Sequence, residues 1–104
     1  MSLASGDVTS TSTFTQTLDA NITLQSNGIW NVSLAPVIVN GQINGSRNLT
    51  KTRVGPLYFT NNNLLRNTYI NEGSFRIKDG GSVTNTFGYI GNLAGTLGTA
   101  YVSE

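Results

Sequence analysis

Residues 9 to 24 read Thr9-Ser10-Thr11-Ser12-Thr13-Phe14-Thr15-Gln16-Thr17-Leu18-Asp19-Ala20-Asn21-Ile22-Thr23-Leu24. Thr9, Thr11, Thr13, Thr15, Thr17, Asp19, Asn21 and Thr23 alternate with a second set that includes Phe14, Leu18, Ala20, Ile22 and Leu24. A period of two is the signature of β-structure with one polar and one apolar face. At about 3.3 Å per residue a straight strand over this stretch would run about 50 Å. A compact chain of this length is only about 34 Å across, from a radius of gyration near 13 Å. Either the strand bends at a bulge, or its beginning leaves the body as an arm. The lack of large apolar groups between Thr9 and Phe14 favours the arm, a flexible or exchanged segment over residues 1 to 13.

Outward from this stretch, turn signals set the expected pairing. A three-residue loop at Ser26-Asn27-Gly28, with Gly28 left-handed, pairs Leu24 with Trp30 and Ile22 with Val32, whereas a two-residue loop wastes the apolar face. Asp79-Gly80-Gly81 gives a second such hairpin, Ile77 against Val83, with Arg76 and Lys78 on the opposite face. Asn40-Gly41 works as a two-residue turn setting Ile38 against Ile43, and Pro36 marks a strand edge or bend. Further strands are expected at 47 to 54, 57 to 60, 67 to 71 and 97 to 102, with Leu64-Leu65-Arg66 supplying one helical turn at most. The expected fold is all-β: an antiparallel β-sandwich or small β-barrel of about eight short strands.

Composition supports one β-domain over residues 1 to 104. Asn (13), Thr (14), Ser (10) and Gly (12) outnumber the 11 charged residues several-fold, which favours strands and turns over helices. The apolar fraction of 38 % gives a thin core, and partner subunits are the expected reinforcement where disulfides and histidine-bound metals are lacking.

The chemistry excluded is more informative. With no Cys and no His, the common general base, the thiol nucleophile and the usual metal ligands are gone, so triads, zinc sites and redox thiols lack members. A carboxylate pair would have to come from Glu72 and Asp79; the preferred reading is that Asp79 opens a turn and Glu72 balances a nearby arginine. Gly88, Gly91, Gly95 and Gly98 fit neither dinucleotide nor phosphate-loop spacing. A non-enzymatic protein without cofactor or metal is expected.

All six basic residues, Arg47, Lys51, Arg53, Arg66, Arg76 and Lys78, fall between 47 and 78, where Glu72 is the one acid, so that segment carries +5. Contact with an anionic polymer, a nucleic acid or an acidic saccharide, competes with the preferred reading of ordinary solvated strand faces. Trp30 is in phase with Val32 and Leu34 and reads as core. Of the adjacent Tyr58 and Phe59, one faces inward. Tyr58 and Tyr69 as stacking surfaces, with Arg53 and Arg66 as anion contacts, form the candidate ligand-binding set. Four Asn-X-Ser/Thr sequons, at Asn21, Asn31, Asn44 and Asn48, are about what this composition yields by chance.

The first residues carry neither a basic start nor an apolar run of export-signal length, and no run approaches membrane-spanning length. The Thr/Asn/Ser/Gly-rich, charge-poor surface points to a virion or extracellular surface.

Gly73-Ser74-Phe75-Arg76-Ile77-Lys78-Asp79-Gly80-Gly81-Ser82-Val83 followed by Gly95-Thr96-Leu97-Gly98-Thr99-Ala100-Tyr101-Val102 resembles the ends of phage receptor-binding and fibre-tip β-domains, over about a third of the chain. The resemblance implies a trimeric β-barrel tip that recognises host-surface saccharide, joined to the particle by its N-terminal segment. The expected function is a phage-like structural protein: a fibre tip, capsid decoration or coat subunit whose partners are copies of itself and other virion proteins. A carbohydrate-binding module, and a pilus-like filament subunit assembling by strand exchange through residues 1 to 17, are the alternatives.

Overall fold

In the computed structural model, which describes residues 2–78, 80–85, 87–90 and 98–102, the chain winds into a stack of rungs. Each rung has three short strands, one on each of three faces. The first rung holds β1 (Ser2–Leu3), β2 (Val8–Ser10) and β3 (Gln16–Leu18); the second, β4 (Ile22–Leu24), β5 (Gly28–Val32) and β6 (Val37–Val39). The third has β7 (Ile43–Asn44), β8 (Leu49–Thr52) and β9 (Leu57–Phe59); the fourth, β10 (Asn62–Leu64), β11 (Asn67–Ile70) and β12 (Gly73–Ile77). The fifth has β13 (Ser82–Thr84), β14 (Phe87–Ile90) and β15 (Gly98–Val102).

Every strand pair is parallel and links a strand to the one a full turn later. On the second face Val8 lies opposite Trp30, Trp30 opposite Lys51, Lys51 opposite Ile70, and Ile70 opposite Ile90, steps of 22, 21, 19 and 20 residues. The fold is a β-solenoid of about four turns, 32 × 30 × 30 Å overall.

The antiparallel sandwich or barrel is therefore corrected, and its three hairpins with it. Trp30 pairs with Val8 and Lys51, not Leu24; Ile38 with Thr17 and Tyr58; β12 and β13 lie in different sheets. The long alternating stretch is cut into β2, β3 and β4 on three faces, which removes the length conflict, and residues 2–3 and 8–10 pair inside the chain's own sheets instead of projecting as an arm. Inward and outward alternation is identical whether a strand pairs with its neighbour or with its counterpart a turn later, so burial alone could not choose. Corner chemistry favours the second arrangement.

At the corners, a side chain of one rung satisfies the backbone of an adjacent rung. Asn21 Oδ1 accepts from Gln42 N at 2.9 Å, Asn27 Oδ1 from Asn48 N at 3.0 Å, Asp7 Oδ1 from Ile29 N at 2.8 Å. On the first face the ladder breaks between β7 and β10, and the buried Asn63 bridges the gap: its Oδ1 accepts from Ile43 N at 2.8 Å and its Nδ2 donates to Asn61 O and Ser82 O. Unpaired backbone amides are costly, which is the physical reason for asparagine at positions 21, 27 and 63. Pro36 and Pro56 sit just before β6 and β9 with their carbonyls accepting from Gln16 N and Val37 N, a place where no proline N–H is needed. Gly28 is not left-handed; it is glycine because a Cβ there would lie 2.0 Å from Gly6 O in the rung below.

The core is a set of in-register columns closed across the lumen by aromatic contacts. Leu18, Val39, Phe59 and Ile77 form one column and Val37, Leu57 and Phe75 another. Trp30 meets Phe59 edge to face at 6.2 Å, and Phe59 meets Phe75 at 4.8 Å, contacts worth about 0.5–1.5 kcal/mol each beyond burial. Phe59 is the inward member of the Tyr58-Phe59 pair, and Trp30 is core as expected. Leu34, expected in phase with it, lies beyond β5 in a corner and is 56 % exposed; Phe14 is 77 % exposed. Leu64-Leu65-Arg66 forms no helical turn.

Candidate functional site

The second-to-third-face corner of the third rung is built around a lysine. Parity in β8 points Lys51 inward with Leu49, between Trp30 below and Ile70 above, and it is fully buried. Its Nζ donates to Arg53 O at 2.8 Å, Glu72 O at 2.9 Å and Thr52 O at 3.4 Å, so all three protons are directed at corner carbonyls of two rungs. Burial pushes its pKa down from 10.5 to about 8, partly opposed by the charge of Glu72. Arg53 takes a left-handed conformation, φ 70°, and Gly73 above it has φ 73° with its Cβ position 2.8 Å from Lys51 Nζ. Outside this corner lies an open cleft of about 420 Å³ lined by Thr9, Asn31, Ser33, Arg53, Val54 and Glu72.

The third face presents a different surface. Its outward column is Thr17, Ile38, Tyr58, Arg76, in register across four rungs. Beside it, at the first residue past the ends of β3, β6, β9 and β12, runs Asp19, Asn40, Thr60, Lys78. This second row is tied by Asn40 Nδ2 donating to Asp19 Oδ1 at 2.8 Å and Thr60 Oγ1 to Asn40 Oδ1 at 2.7 Å. Over the Tyr58 ring sit two cations, Lys78 Nζ at 5.1 Å from its centroid and Arg76 Cζ at 5.8 Å.

The four residues singled out from the sequence are not brought together. Tyr58 is on the third face; Tyr69 is on the second, its hydroxyl accepting from Asn67 Nδ2 at 3.3 Å; Arg53 lines the corner cleft; Arg66 is at the first-to-second-face corner, its N donating to Arg47 O at 2.9 Å. The basic residues are likewise split between two corners, the core and the third face. Missed were Lys51, whose parity with Leu49 was readable, and the pairing of Tyr58 with Arg76 and Lys78, which needs the 18-residue step from β9 to β12. Of the proposed carboxylate pair, Asp79 lies outside the described residues, as do Gly91 and Gly95 of the glycine series.

A third feature is the N-terminal end of the stack. β1, β2 and β3 are edge strands of their sheets, and Leu3, Val8 and Leu18 at the mouth of the core are only half-buried. A cavity of about 410 Å³ opens there, lined by Val8, Ser10, Ser12, Gln16, Leu18 and Val37. Among the described residues no group of three or more acidic residues could hold a metal ion, and no helix is long and apolar enough to cross a membrane. Comparisons with protein-family models, with curated proteins and with solved structures find no match.

Proposed function

We propose that this chain is a non-catalytic structural unit that stacks end on with copies of itself, as a segment of a fibre or particle on a virion or extracellular surface. The observation that carries the reading is the first rung: β1, β2 and β3 are edge strands of their sheets, and Leu3, Val8 and Leu18 beside them are half-buried apolar residues. Such an end is a template for further strand pairing unless something covers it.

Charge favours a head-to-tail second copy as the occupant. Asp7 and Asp19 are the only charged side chains of the first two rungs, whereas all six basic residues belong to the third and fourth. Opposed charge along the axis disfavours head-to-head contact. At about 4.8 Å per rung the attraction acts over one or two Debye lengths, so it orients the joint while apolar burial holds it. A head-to-tail contact that does not close builds a filament.

Sedimentation velocity over a range of concentrations tests this. A ladder of species that lengthens with concentration, shortens partly in high salt and collapses to monomer in Gln16→Lys is expected. Gln16 is exposed at the mouth, stacked on Val37, so the substitution places a charge in the joint while sparing the core. A concentration-independent monomer, or one closed trimer indifferent to Gln16→Lys, would refute end-on stacking.

A further inference from the structure

We infer that the third face binds an oligosaccharide bearing a carboxylate at one end, along the double row that runs from Thr17 and Asp19 to Arg76 and Lys78. The inference goes beyond end-on assembly and stands independently of it.

The rows have the dimensions and chemistry of a short sugar chain. Members of a row are separated by about 4.8 Å and the rows by about 7 Å, two residues along the chain, so the strip is roughly one sugar ring wide and three long. Its chemistry changes along its length. At the first and second rungs Thr17, Asp19 and Asn40 offer hydroxyl, carboxylate and amide groups suited to sugar hydroxyls, beside the half-buried apolar Ile38. At the third rung Tyr58 is the platform beneath the two cations, and Thr60, tied to Asn40, continues the polar row. At the fourth, Arg76 and Lys78, two residues apart, bring two cations over the same Tyr58 ring. Their contacts with the Tyr58 ring restrain two long side chains whose ordering would otherwise cost binding energy.

The polarity follows from charge. Asp19 repels an anion at the lower end and the cations attract one at the upper end, so the acidic sugar sits over Arg76 and Lys78 and the neutral sugars extend toward the first rung. A nucleic acid would need cations repeated along the track; here they occupy one end, opposite a carboxylate.

The test is titration of the ¹⁵N-labelled protein with two probes, sialyllactose and a trisaccharide ending in glucuronate, beside lactose and an oligothymidylate of matched length. Shifts confined to residues 17–19, 38–40, 58–60 and 76–78 with either acidic probe are expected, at least tenfold weaker with lactose. Lys78→Gln and Arg76→Gln should each weaken binding about tenfold, the loss of one charge-assisted hydrogen bond. Tyr58→Leu should abolish it, and Arg47→Gln with Arg66→Gln, at a different corner, should leave it unchanged. The inference is overturned by no third-face shifts with either acidic probe at millimolar concentration, by equal binding of lactose, by equal loss in the Arg47/Arg66 variant, or by tighter binding of the oligothymidylate.

Discussion

Replacing Lys51 by methionine keeps the length of the side chain and removes its charge and donors. In the wild type the ammonium serves the carbonyls of Arg53 and Glu72 at 2.8 and 2.9 Å, in a corner where strand pairing does not reach. Orphaning two such carbonyls costs about 1–3 kcal/mol each. Relief from burying a charge returns about 1–2 kcal/mol, leaving Lys51→Met less stable by roughly 1–4 kcal/mol at pH 7. The pH dependence separates this role from simple packing. The native amine loses its proton near pH 8, the unfolded one near 10.5, so between those values the unfolded chain holds the extra proton. Stability conferred by a group rises with pH wherever the unfolded state binds more protons. The wild type should therefore gain on Lys51→Met between pH 8 and 10.5, by about 1–2 kcal/mol once solvent screening at the corner is allowed for, and the gap should be constant below pH 8. Urea unfolding of both proteins, followed by the fluorescence of the single tryptophan, Trp30, reads it directly. Equal stability at pH 7, or a gap flat from pH 7 to 10.5, would show that the amine is solvated and that the corner is held otherwise.

Three further substitutions probe the stack. Gly28→Ala forces a Cβ toward Gly6 O at 2.0 Å and should lower stability by about 2–4 kcal/mol, with hydrogen exchange accelerated first in residues 2 to 10. Asn63→Ala removes the bridge between the third and fourth rungs on the first face and should cost about 2–3 kcal/mol in chemical denaturation. Phe59→Ala should cost about 3–5 kcal/mol while Tyr58→Ala stays within about 0.5 kcal/mol, a contrast readable by thermal melting that reverses if Tyr58 is the inward residue.

Strand positions were legible in the sequence because alternation is local: the stretches around Leu49, Leu57, Thr68 and Ala100 are strands, and Trp30 is buried. Pairing was not legible from alternation, since Leu24 with Trp30 and Ile22 with Ile43 satisfy the same burial rule. The signal that separates them is spacing. Asn27, Asn48 and Asn67 recur at 21 and 19 residues, and Ala35-Pro36 is answered by Gly55-Pro56 at 20. Those are the corners of successive rungs, and a repeat of this length is the mark of a solenoid. The candidate site was legible only as residue types. Tyr58 was named, but its partners Arg76 and Lys78 come into place through the parallel step, and Tyr69, Arg53 and Arg66 lie elsewhere for the same reason.

The chain contains no cysteine, which makes the pairing itself measurable. Thr23 and Asn44 lie opposite each other in adjacent parallel strands, about 4.8 Å apart between Cα atoms, within the range a disulfide spans. An antiparallel hairpin turning at Ser26-Asn27-Gly28 would instead set Thr23 opposite Asn31, which in the solenoid belongs to another face. Under mild oxidation Thr23→Cys/Asn44→Cys should close into an intramolecular disulfide, and Thr23→Cys/Asn31→Cys should keep both thiols, as counted by mass after alkylation. Closure of the second pair and not the first would contradict the solenoid and everything built on its register.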